Sequence, residues 1–238
     1  MSRTSLQGLG WAALLLLGWL ASLVLFLPLD GLQRSPWALL FAILVRTLLQ
    51  TGLFIVAHDA MHGLLVPGRP ALNDGIGALM LGLYAAVPYG RSHRKHQEHH
   101  RAPGGELDPD FHAPGRGSFL PWYGQFMAGY LGPMELAVLL VAWGLLAWFT
   151  SIASVLLICT LPLILSSLQL FTFGTYLPHR GPAWDPEDHH AINIDLPEWL
   201  SLLACFHFGY HLEHHQAPEL AWHQLPKRHR ETAHSVFA

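Results

Sequence analysis

Charge is scarce in this sequence. Asp, Glu, Lys and Arg make up 12% of its 238 residues, about half the share of a soluble globular protein, and so little charge excludes an ordinary water-soluble domain. Cysteine is scarcer still: Cys159 and Cys205 are the two in the chain, at no spacing that suggests a disulfide framework or a zinc knuckle. No basic footprint for nucleic acid is visible. The formal net charge of -3 says little about partners, because orientation in a membrane follows the local distribution of Lys and Arg. Apolar residues fill the space instead, at 52% of the chain. They come in long uncharged runs that, at about 1.5 Å per residue, can each cross a hydrocarbon layer of about 30 Å.

The expected fold is therefore an all-α integral membrane protein, one domain over 1–238. Residues 11–27 are apolar without interruption and stop at Pro28, Asp30 and Gly31; the run is long for a signal peptide and no small-residue cleavage site follows it. A second span, 37–57, opens on Ser35 as cap and Pro36 at the first helical position. Arg46 lies near its middle, where a charge costs several kcal/mol unless paired or snorkelling, and its partner cannot be named from sequence. Residues 136–173 are about twice the length of one span and read as a hairpin turning at Thr150 and Ser151, with spans near 133–149 and 152–173. That makes four transmembrane helices. The apolar stretch 76–87 is too short to cross comfortably and reads as re-entrant or interfacial. Arg91, Lys95, Arg94 and Arg101 form a positive excess that marks the cytoplasmic face, so a histidine-rich cap and both termini are expected there.

Histidine is the one polar residue present in excess, at 17 copies, and its spacing repeats. In RSHRKHQEHHR, His96, His99 and His100 stand at i, i+3 and i+4, which puts three imidazoles on one helical face. HFGYHLEHH repeats this with His211, His214 and His215, and HDAMH gives His58 and His62 at i and i+4. One such cluster is readily a solvated polar face, whereas three of one geometry make a metal site. His179, at the end of QLFTFGTYLPHR, returns to the same side of the membrane. These nine imidazoles exceed what one ion accepts, so two ions follow. Ligand type alone does not choose among zinc, copper, iron and nickel. A pair of redox-active irons with an open position gives the clusters a purpose, because oxidation of an unactivated carbon is beyond any side chain.

Other polar residues stand near these clusters. The loop 102–117 carries Asp108, Asp110 and His112, either as a solvated acidic turn or as groups that orient ligand imidazoles through their other ring nitrogen. His93 and His207 each extend a ligand stripe by about one turn, the latter along a helix expected over 197–215, and each reads as a further ligand or a hydrogen-bond donor beside one. Asp59, Glu98 and Glu213 lie inside the clusters on other faces and suit hydrogen-bonding roles. His189 and His190 read as solvent-exposed, and the basic tail with Lys227, Arg228, His229, Arg230 and His234 carries no assigned chemistry.

The stretches FIVAHDAMHG, HRKHQEHH with DPDFH, FGTYLPHR and FHFGYHLEHHQAPELAWHQLP resemble the membrane fatty acid desaturase and hydroxylase superfamily, and within it the bacterial β-carotene ketolases. The histidine clusters alone carry only the superfamily; FGTYLPHR and the long third box carry the ketolase likeness. The resemblance implies a non-haem di-iron mono-oxygenase that uses two ferrous ions and dioxygen at the 4-carbon of a β-ionone ring. Two hydroxylations at one methylene and loss of water would turn β-carotene into echinenone and canthaxanthin, or give astaxanthin from a ring already hydroxylated. It further implies a ferredoxin-type electron donor, a carotenoid dissolved in a bacterial inner membrane, the nine histidines as ligands and His179 as the lone one before the third box. Phe173, Tyr176 and Leu177 would line the ring pocket. A fatty-acyl desaturase or lipid hydroxylase is the rival within enzymes; a metal transporter or haem-binding membrane protein is the rival outside them, disfavoured because the clusters lie beyond the span ends.

Overall fold

A computed structural model of the chain describes residues 2–28, 35–105, 107–111, 118–180 and 191–235. Among these every regular element is helical. In chain order the helices are α1 (Arg3–Phe26), α2 (Pro36–Met61), α3 (Pro70–Ala85), α4 (Tyr89–Arg101), α5 (Phe119–Tyr130), α6 (Pro133–Phe149), α7 (Ile152–His179), α8 (Glu198–Cys205), α9 (His211–Gln216) and α10 (Leu225–Ser235). Helices α1, α2 and α7 are each long and apolar enough to cross a membrane, while α3 with α4 and α5 with α6 qualify only as interrupted pairs, giving three to five candidate crossings. Large side chains such as Leu17, Val24, Leu25 and Trp148 point outward on these helices, a surface that suits lipid and not water. Helices of this length and composition are those expected of a membrane protein.

Helix bounds differ from the hydropathy reading where caps and packing act. Helix α1 starts at Arg3 because Ser2 Oγ accepts from the Ser5 amide at 3.1 Å, so its first polar turns join an apolar run. Ser35 caps α2 through the Ala38 amide at 3.3 Å, ahead of Pro36. The segment expected at 76–87 is a longer helix that begins at Pro70.

The chain forms two compact units, residues 1–89 with 131–168 and residues 90–130 with 169–238. In the first, α2 is the most buried element. Trp19 Nε1 of α1 donates to Gln50 Oε1 at 2.6 Å, Thr51 Oγ1 donates to Ser166 Oγ at 2.8 Å, and Gln50 donates on to the Tyr84 carbonyl. Asn73 of α3 fastens the end of α2: its amide donates to the Ala60 carbonyl at 2.8 Å and its oxygen accepts from the Leu65 amide at 3.2 Å. Gly77 permits this closeness, since a Cβ there would stand 2.7 Å from that of Ala60. His58 and His62 are thereby held at the C-terminal end of a fixed helix.

Arg46 is a structural anchor. It is 1% exposed, and its guanidinium donates to the carbonyls of Ile158 and Trp19, each at 3.0 Å, and to Ser22 Oγ at 3.1 Å, over the Trp19 ring. The Ile158 carbonyl needs such a donor because its regular helical partner, four residues on, is Pro162, which has no N–H. Helix α7 passes this proline by widening to a π turn over Leu156–Thr160, and does the same over Thr172–Tyr176 ahead of Pro178. The second π turn carries the helix on to His179, where widened turns of this kind recur near functional groups.

Candidate metal centre

The second unit gathers the histidines of α4, the end of α7, and α9. His99, His179, His211 and His215 are all buried, and their ligand atoms lie within 4.8 Å of one another. His211 Nε2 stands 2.9 Å from His179 Nε2 and 3.1 Å from His215 Nε2, which is itself 3.2 Å from His99 Nε2. Nitrogens sharing a cation at about 2.0–2.1 Å stand about 2.8–3.4 Å apart, so the donor set fits a metal ion.

The protonation of the rings supports the same fit. His99 Nδ1 lies 2.9 and 3.0 Å from the two carboxylate oxygens of Asp108. Its ring proton belongs on that side, and in the neutral ring Nε2 then carries a lone pair that faces the other three histidines. Burial, joined by the His211, His99, His100 and His179 rings, pushes His215 well below the ordinary imidazole range, so it too is neutral and able to donate a lone pair.

Asp108 is the acid that orients a ligand. Burial pushes its carboxyl up, but the His99 bond and the amides of Asp110 and Gly104, at 2.9 and 2.8 Å, hold it below the usual carboxylate range. Asp110 faces elsewhere. Its carboxylate accepts from the Tyr130 hydroxyl at 2.8 Å and its carbonyl from Trp122 Nε1 at 2.7 Å; burial pushes this carboxyl up to about 6. Helix α5 thus braces the loop that positions His99, and Arg91 and Lys95 of α4 close the other end by donating to the carbonyls of Tyr130 and Gly129 at 2.6 and 2.8 Å. Two cations expected to mark membrane sidedness therefore satisfy helix-end carbonyls, where positive charge is favoured.

A second group lies beside the first. His100 Nε2 is 3.0 Å from His214 Nε2, and the His96 ring centroid is 4.5 Å from that of His100; the ligand atoms of these three also fall within 4.8 Å of one another. In the other unit, the His58 and His62 rings lie 4.9 Å apart, with His58 Nδ1 3.9 Å from Asp59 Oδ1.

The remaining candidates are placed as follows. His93 is half-buried and shares a hydrogen bond with Gln97 at 2.9 Å, Glu98 is exposed, and His112, like His189 and His190, lies outside the described residues. Glu213 is buried and paired with His229. His207 belongs to neither group: its ring lies nearly parallel to those of Tyr210 and Trp222, with centroids 5.8 and 6.1 Å away. The continuous helix expected over 197–215 is corrected here. Helix α8 ends at Cys205, and Phe206 and His207 both take left-handed backbone angles, with φ of 48° and 66°. Their amides turn back to the carbonyls of Leu202 and Ser201 at 2.9 and 3.1 Å, a helix-ending pattern that ordinarily uses glycine. Burial of the Phe206 and His207 rings against Trp222 offsets the strain of about 1–3 kcal/mol per residue. The interruption turns His207 off the stripe that a single helix would have given it.

Tyr176 belongs to an aromatic cluster, 5.0 Å from Phe119, 5.6 Å from Trp122 and 5.9 Å from Phe171. Phe173 and Leu177 are half-buried neighbours on the same helix. Sequence reasoning missed α5 as a partner of this cluster; the aromatic spacing of Phe119, Trp122, Tyr123, Phe126 and Tyr130 was the available signal.

The family model described as fatty acid desaturase matches residues 34–138 and 128–236. A β-carotene ketolase of Paracoccus sp. (strain PC1) is 41% identical over 94% of this chain and 92% of the relative. A second β-carotene ketolase, of Paracoccus sp. (strain N81106 / MBIC 01143), is 44% identical over 76% and 74%. A zeaxanthin 4-ketolase of Chlamydomonas reinhardtii is 37% identical over 91% of this chain and 50% of its own length. No solved structure matches the chain.

Proposed function

Since the chain belongs to the fatty acid desaturase family, we propose that it is a non-haem di-iron oxygenase that converts the 4-carbon of carotenoid β-ionone rings to a ketone. The observation that carries the metal half of this reading is the convergence of four buried imidazoles, one of them with its tautomer fixed by Asp108. The substrate half is supported by the relatives named for β-carotene and zeaxanthin ketolation. His99, His179, His211 and His215 would hold one iron and His96, His100 and His214 would serve the other; His58 and His62 are counted as iron ligands by the family's histidine pattern. A reduced iron pair supplies the activation of dioxygen and the removal of hydrogen from a methylene that side chains cannot perform.

The protein's own residues bind, orient and exclude. Asp108 keeps the His99 lone pair on the metal side, and the burial of all four histidines of the first group keeps water from the centre. Tyr176, Phe173 and Leu177, next to His179 in the chain, are the side chains assigned to the β-ionone ring. Oxidation of one methylene twice, followed by loss of water, consumes two molecules of dioxygen and four electrons per ring, delivered by a ferredoxin-type donor. Four spans carry a single domain over 1–238 in a bacterial inner membrane, with the metal centre and both termini on the cytoplasmic side.

Expression in a β-carotene-producing bacterium, followed by pigment chromatography, tests the substrate. Echinenone and canthaxanthin are the expected new pigments. An unchanged profile from a protein that is present and iron-loaded would transfer the reading to a lipid hydroxylase or desaturase.

A further inference from the structure

We propose that the C-terminal helix α10 is a positioning element for the third histidine cluster, acting through His229 on Glu213; the inference rests on that cluster's being iron ligands. Glu213 lies inside HLEHH between His211 and His214, with its side chain 3% exposed. A buried carboxylate is strongly destabilising unless it is paired. Among the described residues its hydrogen bonds both come from α10: His229 Nδ1 lies 2.9 Å from Oε1, and Thr232 Oγ1 donates to the same oxygen at 3.0 Å. Its other oxygen, Oε2, is buried with no hydrogen-bond partner among the described residues, so nothing else there offsets the burial.

His229 is itself held by two further contacts. Its Nε2 lies 3.3 Å from Asp195 Oδ1, and its ring stacks on Tyr210 at 4.2 Å and 15°. The Tyr210 hydroxyl in turn donates to the Leu196 carbonyl at 2.9 Å, while Arg230 of the same helix pairs with Glu198 of α8. Tyr210 directly precedes His211. The six-residue helix α9 is too short to keep its own geometry in isolation, so its rotation must be set from outside. The bond from His229 to Glu213 supplies that setting, because a rotation of α9 that moves His211, His214 and His215 also pulls Glu213 away from His229.

Iron release to a ferrous chelator, followed in detergent-purified protein, separates this role from simple packing. The side-chain amide of His229→Asn reaches the place of Nδ1 and keeps a donor for Glu213, whereas that of His229→Gln reaches the place of Nε2 and does not. We expect release about tenfold faster in His229→Ala and His229→Gln, about threefold faster in Thr232→Val, and within about twofold of wild type in His229→Asn, the scale seen for groups that orient metal ligands. Wild-type release in His229→Ala, or no recovery in His229→Asn relative to it, overturns the inference. Should His229→Ala fail to accumulate, unchanged release in Thr232→Val overturns it instead. His214→Ala is the control: loss of iron there beside unchanged release in His229→Ala refutes the positioning role alone, while full iron in His214→Ala refutes the ligand reading and this inference with it.

Discussion

Replacing His214 with Ala is expected to reduce ketocarotenoid formation below detection while the protein still accumulates in the membrane fraction. Insertion depends on the apolar lengths of α1, α2 and α7, none of which contains His214. The imidazole lies in α9 with its Nε2 3.0 Å from that of His100, and alanine offers no lone pair in its place. His99→Ala should abolish the activity equally but cost more in stability. Removing that ring leaves the buried Asp108 carboxylate with only the Gly104 and Asp110 amides as donors, and taking one hydrogen-bond partner from a buried charged group costs about 1–3 kcal/mol. Pigment chromatography and membrane immunoblots read the two effects separately. Full activity in either variant with iron still bound would contradict the ligand assignment.

Asp108→Asn carries the second large effect, a loss of about 10–100-fold in iron affinity, and it should exceed that of any exposed acid such as Glu98. The carboxylate of Asp108 accepts from three donors at once: the His99 ring and the amides of Gly104 and Asp110. Asparagine has one acceptor oxygen, so its NH2 group must oppose at least one of them. The His99 ring then loses the partner that fixes its proton on Nδ1, and the lone pair at Nε2 is no longer assured. Competition with a ferrous chelator would measure the change. An affinity equal to wild type would show that backbone packing alone orients His99.

The histidine pattern was legible because helical spacing converts directly into a shared face: His96 and His100, and likewise His211 and His215, are four apart, and each pair meets in space. Legibility stopped where the backbone left the regular helix. His207 sits four residues before His211 and would share its stripe, yet two left-handed residues intervene, and that choice is made by ring packing against Trp222 that no periodicity displays. The partners of Arg46 were hidden for a related reason, since two of its acceptors are backbone carbonyls and the chain separates it from Ile158 by 112 residues. A hint existed in Pro162, whose missing N–H leaves that carbonyl in need of a donor. Asp108 was visible as an acid in a loop, but its pairing with His99 depends on how 104–110 folds. The tail looked like plain basic sequence because the value of His229 lies in the carboxylate it meets, not in its neighbours along the chain.

Elemental analysis of the purified, reduced and iron-loaded protein tests the central claim most directly. About two irons per chain are expected, without haem absorbance, and a fall below two in His99→Ala and in His214→Ala taken singly. A chain that binds no iron, or that keeps its full complement in both variants, would contradict a histidine-held iron pair.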